Sequence, residues 1–141
     1  MNSTKITVGT TVASNPAKAR EYWTHPQHIV KWNFASEDWH CPKAENDLRV
    51  GGKLKSRMEA KDGSFGFDFE GIYDEVEKEK KITYSLADGR RANTTFEDLG
   101  GKTKVTTVFD AENTHPIDMQ RDGWQSILEN YRKYLESDKR S

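Results

Sequence analysis

Apolar and polar residues alternate with a period of two over most of this chain, and the period changes near its end. Lys5–Ala13 is rich in Thr and Val, with Ile6 and Val8 two apart, which predicts a strand. Lys53–Glu59 sets Leu54, Ser56 and Met58 on one face against Lys53, Lys55, Arg57 and Glu59. Ser64–Val76 alternates more sharply, with Phe65, Phe67, Phe69, Gly71 and Tyr73 on one face and Gly66, Asp68, Glu70 and Ile72 on the other. Lys81–Ala87, Arg91–Leu99 and Lys102–Ala111 complete the set, separated by turn signals at "KDG" (61–63), "DG" (88–89) and Gly100-Gly101. From Ile117 to about Lys139 the spacing becomes helical, and Trp124, Ile127, Leu128, Tyr131, Tyr134 and Leu135 form one apolar stripe.

Between the first two strands the signals are those of short helices. Asn15 can cap a helix whose first position is Pro16, because proline there gives up an amide that has no helical partner. That helix is expected to run to Trp23, with Ala19, Tyr22 and Trp23 inward. Thr24 before His25-Pro26 repeats the start signal for a second helix to about Trp32, placing His28 and Trp32 on one face. Residues 33–52 read as irregular, with Gly51-Gly52 turning into the next strand. The order predicts one α+β domain over 4–138. A curved antiparallel sheet of about six strands wraps a long C-terminal helix, and two short helices follow the first strand. Such a packing leaves room between helix and sheet for a pocket of roughly 300–1,000 Å³.

Composition narrows the function classes. A length of 141 residues fits one domain, and the net charge of -1 argues against a nucleic-acid surface or a polybasic membrane patch. No long apolar run opens the chain, so membrane insertion is not expected. The single Cys41 excludes an intrachain disulfide and suits a reducing, cytoplasmic setting. No phosphate loop, "HExxH", "GxSxG" or "CxxC" is present, and no cofactor or metal is expected.

In a chain with 32% charged residues and a mean hydropathy of -0.95, Trp23, Trp32 and Trp39 fall close together. They build either the end of a core or the wall of a site. Trp32 and Trp39 are the better ligand contacts, at the expected cavity mouth, whereas Trp23 reads as mainly structural. Phe67, Phe69 and Trp124 suit both core and cavity wall. His28 completes the candidate ligand contacts as a polar group on the same helix face as Trp32. His28, His40 and Cys41 match no tetrahedral zinc spacing, and Cys41 has no base fixed beside it as a nucleophile would need. Asp68 and Glu70, opposite the phenylalanine face, read as cross-strand ion pairs with residues such as Arg57 if that face is solvated, and as acid–base candidates if it lines the cavity. The run "EVEKEKK" (75–81) reads as a hairpin-end surface.

Several segments resemble the family of the activator of the heat-shock-protein-90 ATPase, within the START-like helix-grip (SRPBCC) superfamily. They are "NPAKAREYWTHPQHIVKW" (15–32), "DLRVGGKLKSRM" (47–58), "FDFEGIYDEVEKEKKITYS" (67–85), "TTFEDLGGKTKVTTVF" (94–109) and "GWQSILENYRKYL" (123–135). The resemblance implies a single helix-grip domain with an elongated cavity between long helix and sheet. The eukaryotic co-chaperone carries an additional chaperone-binding N-terminal domain, for which a chain of this length has no room. Superfamily relatives include cyclases, hydrolases and lipid or hormone binders, and shared fold does not choose among them. The leading expectation is therefore non-catalytic binding of a small hydrophobic or amphipathic molecule. The alternatives are a small lyase, cyclase or hydrolase using His28, His40 or Asp68 as acid or base, and a chaperone-associated interaction domain. Nothing in the sequence defines an oligomeric state.

Overall fold

The computed structural model describes residues 4–77, 80–112 and 115–137. Its elements are β1 (Lys5–Val12), α1 (Pro16–Thr24), α2 (Pro26–Trp32), β2 (Trp39–Asn46), β3 (Lys53–Ala60), β4 (Gly66–Glu77), β5 (Lys81–Ser85), β6 (Arg91–Asp98), β7 (Thr103–Asp110) and α3 (Ile117–Ser137). The strands form one antiparallel sheet in the order β1-β7-β6-β5-β4-β3-β2. It curls as a half-barrel around α3, the α+β arrangement expected. The chain leaves one edge at β1 and enters the opposite edge at β2, and α1 and α2 make that crossing. The expected extension of the last helix to Lys139, the end of the domain at 138, the middle of the Lys/Glu run at 78–79, and Asn113 as the start of the sheet's end lie outside the described residues.

The local rules account for the short helices. Asn15 Oδ1 accepts the Lys18 amide at 2.8 Å, and Pro16 occupies the first helical turn. Pro26 opens α2 in the same way, although His25 caps it without a side-chain hydrogen bond.

The one element missing from the expected six strands is β2, which lies in the segment read as irregular. Pro42 and a register shift between His40 and Lys43 break its alternation. A proline removes a ladder donor, and it is tolerated here because β2 is an edge strand.

The concave face carries Phe67, Phe69, Gly71 and Tyr73 from β4, opposite Met58, Ser56 and Leu54 of β3. The convex face carries the charges. Asp68 pairs with Arg57 at 3.5 Å and Lys55 at 3.8 Å, and Glu70 pairs with Lys53 at 3.3 Å. These are the exposed cross-strand pairs expected of a solvated face, so Asp68 and Glu70 are remote from the interior.

Helix α3 divides into two halves. In its C-terminal half Tyr131 and Leu135 are fully buried against Val12, Ala19, Phe96 and Val105, and Leu128 against Ile6, Val8, Ala92 and Phe109. The Tyr131 hydroxyl donates to the Ala19 carbonyl at 2.6 Å, and Asn130 donates to Phe34 O at 2.7 Å, which ties α1 and the loop after α2 to α3. Along β1 the helix also covers an open sheet edge. Gln125 accepts from Gly9 N and donates to Gly9 O, and Glu136 accepts from Ala13 N. In its N-terminal half no residue is fully buried, and Met119 is 59% exposed. That half meets the sheet at Gln125 on the β1 edge and at Trp124 on Phe109, and leaves a gap over the rest of the concave face.

Candidate functional site

The gap under the N-terminal half of α3 is a cavity of two adjoining lobes, about 430 and 400 Å³. Met58, Phe67, Phe69, Tyr84, Arg90, Glu112, Trp124 and Ile127 border both lobes and form a waist between them. The inner lobe reaches Trp23, Trp32, Leu54, Tyr73, Ile82 and Leu128. The outer lobe opens past Trp39, Leu86, Phe109, Met119 and Gly123. Both volumes fall within the range of small-molecule pockets.

All four tryptophans line this space. Trp32 is not at the mouth but deep in the inner lobe, buried, with its indole N–H donating to Tyr22 O at 3.0 Å. Trp23, read as mainly structural, stacks on Trp32 at 5.0 Å and meets Tyr131 edge-on at 5.0 Å, so one side packs the core while the residue also borders the lobe. Trp39 does sit at the mouth, in a cluster with Phe65 and Phe67 at 5.9 and 6.0 Å. Trp124 stacks on Phe109 at 4.2 Å and faces Phe69 edge-on, bridging helix and sheet.

His28 is the candidate that the fold takes elsewhere. It borders neither lobe. Its ring stacks on Tyr22 at 3.9 Å, its Nδ1 hydrogen-bonds the Tyr134 hydroxyl at 2.7 Å, and its Nε2 lies 3.7 Å from Glu21. The face it shares with Trp32 is too broad for both side chains to enter one cavity: Trp32 turns inward, and His28 clips α2 to the end of α3. His40 faces Glu59 at 3.7 Å, half-exposed, while the neighbouring Cys41 is buried with its thiol directed to Lys43 O. Burial pushes that thiol up from its ordinary value, against weaker hydrogen bonds from Lys43 and Ser56, which suits a packed side chain and not a nucleophile. Among the described residues no cluster of His, Cys, Asp or Glu could hold a metal.

The polar groups that do reach the cavity were not singled out by sequence. Tyr73 and Tyr84 project from paired positions of β4 and β5. Tyr73 donates to Asn46 Oδ1, and burial pushes its phenol up to about 12. Burial also pushes the Tyr84 phenol well above its ordinary value; the neighbouring Tyr73 adds to this and the Arg90 guanidinium opposes it. Arg90 lies in the turn between β5 and β6, with its Nε held by Asp88 at 2.7 Å. Glu112, at the mouth, accepts from the His115 amide at 2.6 Å and contacts His115 Nδ1 at 3.1 Å. The alternation of Ile82, Tyr84 and Leu86 contained the signal for Tyr84. Arg90 and Glu112 sit in connections, where periodicity carries no information.

A curled antiparallel sheet gripping a C-terminal helix, with a ligand-sized cavity between them, defines the START-like helix-grip class. That fold typically binds ligands in such a cavity. Residues 14–136 match the family described as Activator of Hsp90 ATPase homolog 1-like protein, and the chain belongs to this family. It is similar to the AHSA1-like protein from Aeromonas hydrophila, at 38% identity and a TM-score of 0.88 over 95% of this chain and 93% of that one. A solved protein from Cytophaga hutchinsonii is 45% identical, with a TM-score of 0.82, covering 94% and 92% of the two chains. A protein from Chromobacterium violaceum, 23% identical with a TM-score of 0.83 over 95% and 98%, shares the fold. No curated protein matches the chain.

Proposed function

We propose that this protein binds a small hydrophobic or amphipathic molecule in the two-lobed cavity, without catalysing a reaction on it. The observation that carries the reading is the lining. Trp23, Trp32, Trp124, Phe67, Phe69 and Ile127 border a space large enough for a small organic ligand, and among the described lining residues the hydrogen-bonded carboxylate–imidazole pair, Glu112 and His115, lies at the mouth and not among these rings. The two tyrosines in the wall are held protonated far above neutral pH by burial, so neither supplies a base there. His28, His40 and Asp68, which an acid–base reaction was expected to use, border neither lobe. At the mouth, Glu112 and His115 are engaged with each other. A buried thiol without a disulfide partner suits a reducing compartment, and we place the protein in the cytoplasm on that ground. Among the described residues no helix is long and apolar enough to cross a membrane.

Because every tryptophan borders the cavity, intrinsic fluorescence reports its occupancy. Titration with apolar and amphipathic probes should shift the emission and raise Tm, and native mass spectrometry should show one probe bound. Unchanged emission and Tm across a broad probe set, with no adduct by mass spectrometry, would sink the proposal.

A further inference from the structure

The polar groups of the waist differ in how far their hydrogen bonds are already committed. The Glu112 carboxylate is taken up by His115. Tyr84 and Arg90 keep donors in reserve. The Tyr84 ring is fixed from three sides: Phe69 and Tyr73 meet it edge-on at 6.0 and 6.4 Å, and Gly71 lies beneath it. A Cβ at Gly71 would come within 2.9 Å of the ring. The Tyr84 hydroxyl nevertheless hydrogen-bonds to no described residue. Arg90 is tethered through Nε to Asp88, which fixes its guanidinium at the rim and commits neither Nη to a described residue. Its charge is close enough to act on the Tyr84 phenol. A phenol and a forked cation therefore stand together at the waist, beside the Glu112 carboxylate.

We propose that the ligand is an amphipathic carboxylate whose head accepts from the Tyr84 hydroxyl and the Arg90 Nη groups at the waist, with its apolar part in the inner lobe. This rests on the cavity-binding reading above. The guanidinium fork matches the two oxygens of a carboxylate, and the phenol supplies a further donor. Asp88 already offsets the Arg90 charge through Nε, and Glu112 borders the same waist, so the free Nη donors and the Tyr84 phenol, not net positive charge, hold the head, and a second negative charge on it adds repulsion. The inner lobe beyond the waist presents Trp23, Trp32, Leu54, Ile82 and Leu128, which suits an alkyl or aryl body, with Glu45 and Asn46 at its border and no cation among its described lining residues.

The test compares dodecanoate, dodecanol and dodecyltrimethylammonium at neutral pH, by tryptophan fluorescence and native mass spectrometry. Wild-type protein, Tyr84→Phe, Arg90→Gln, Arg90→Lys and, on the convex face, Arg57→Gln are each titrated. Dodecanoate should bind about tenfold or more tighter than dodecanol, the size expected of hydrogen bonds to a charged group, and the ammonium should bind weakest. Arg90→Gln should erase the preference for dodecanoate. Tyr84→Phe should reduce it several-fold, Arg90→Lys should keep part of it, and Arg57→Gln should leave it intact. The partial retention in Arg90→Lys separates loss of charge from loss of fold. If the three probes bind alike, or Arg90→Gln keeps the preference while binding persists, the carboxylate assignment is wrong and the cavity reading survives. If none of the three binds, the carboxylate assignment falls; if a broad set of uncharged apolar probes also fails, the cavity reading falls with it.

Discussion

Gly123 occupies the middle of α3, where a glycine weakens the helix by about 1 kcal/mol relative to alanine. The position does not need glycine for its backbone, since it is absent from the left-handed glycines of the chain. A Cβ there would meet nothing within 4 Å, because the residue faces the outer lobe beside Gln120, Trp124 and Ile127. Gly123→Ala should therefore stabilise the protein by about 0.5–1 kcal/mol. At about 2.1 cal/mol/K of unfolding entropy per residue, a chain of 141 residues has roughly 300 cal/mol/K, so Tm should rise by about 2–3 °C. Differential scanning calorimetry at fixed pH measures this directly. A single methyl leaves most of the outer lobe open, so probe binding should change little. Gly123→Phe, whose ring projects into the lobe, should block probes that extend past Trp124. A lower Tm for Gly123→Ala would refute the reasoning, since it would mean that α3 descends onto the sheet at this turn and the outer lobe is closed.

Other outcomes follow from single groups. Tyr131→Phe removes the buried donor to Ala19 O and should cost about 1–3 kcal/mol by urea denaturation, with no change in the fold by circular dichroism. Burial raises the Asp110 carboxyl, but the Lys5 ammonium and the Arg91 amide together outweigh it and hold the group below its ordinary value of 3.8. A depressed carboxyl contributes stability above its unfolded value and loses it as pH falls through the folded one. Asp110→Asn should thus flatten the acid limb of the urea midpoint below about pH 4. Tyr73 has the opposite sign: its phenol is raised from 10.0 to about 12, so its contribution is complete below pH 10 and lost as pH climbs towards 12. Absorbance titration should show one fewer late-ionising tyrosine in Tyr73→Phe, and an unchanged count would contradict its burial.

The fold was legible wherever one physical period governed a segment. The alternation of Ser64–Val76 put the phenylalanines on the concave face and the carboxylates on the other, and the stripe on α3 marked the gripped helix. Strand β2 was not legible, because an edge strand can dispense with alternation and can hold Pro42 at a bulge. The candidate site was partly legible for a related reason. Aromatic residues are rare in this chain and conspicuous, so Trp32, Trp39, Phe67, Phe69 and Trp124 could be marked, and all five border the cavity. Helical phase alone could not tell that Trp32 turns inward while His28 turns to Tyr134, since the two share a face four residues apart. Arg90 reaches the waist from the end of a five-residue connection, and only the pairing of β5 with β6 brings that connection beside Tyr84.

Core and binding wall prove to be poor alternatives for Trp23, Trp32 and Trp124, because each of these packs against the core and also borders the cavity, whereas Trp39 stands at the mouth. Its apolar stripe runs the length of the helix, yet only Leu128, Tyr131 and Leu135 are fully buried. Trp124 and Ile127, within the turn before Leu128, are left part-buried over a space the sheet does not fill. Each Å² of apolar surface left uncovered forgoes roughly 25 cal/mol, and a chain with mean hydropathy of -0.95 has little such surface to spare. The polar anchors resolve the difficulty. Gln125 and Glu136 fasten the helix to β1 and the residue after it, and Asn130 and Tyr131 fasten it to the loop after α2 and to α1, so the helix holds its place along the sheet edge without closing onto the concave face below its first half. A helix secured along one sheet edge and at its C-terminal half keeps a cavity open that hydrophobic collapse alone would shut. Filling that cavity with a ligand then recovers the burial that the fold leaves unused, which is why occupancy and thermal stability should rise together.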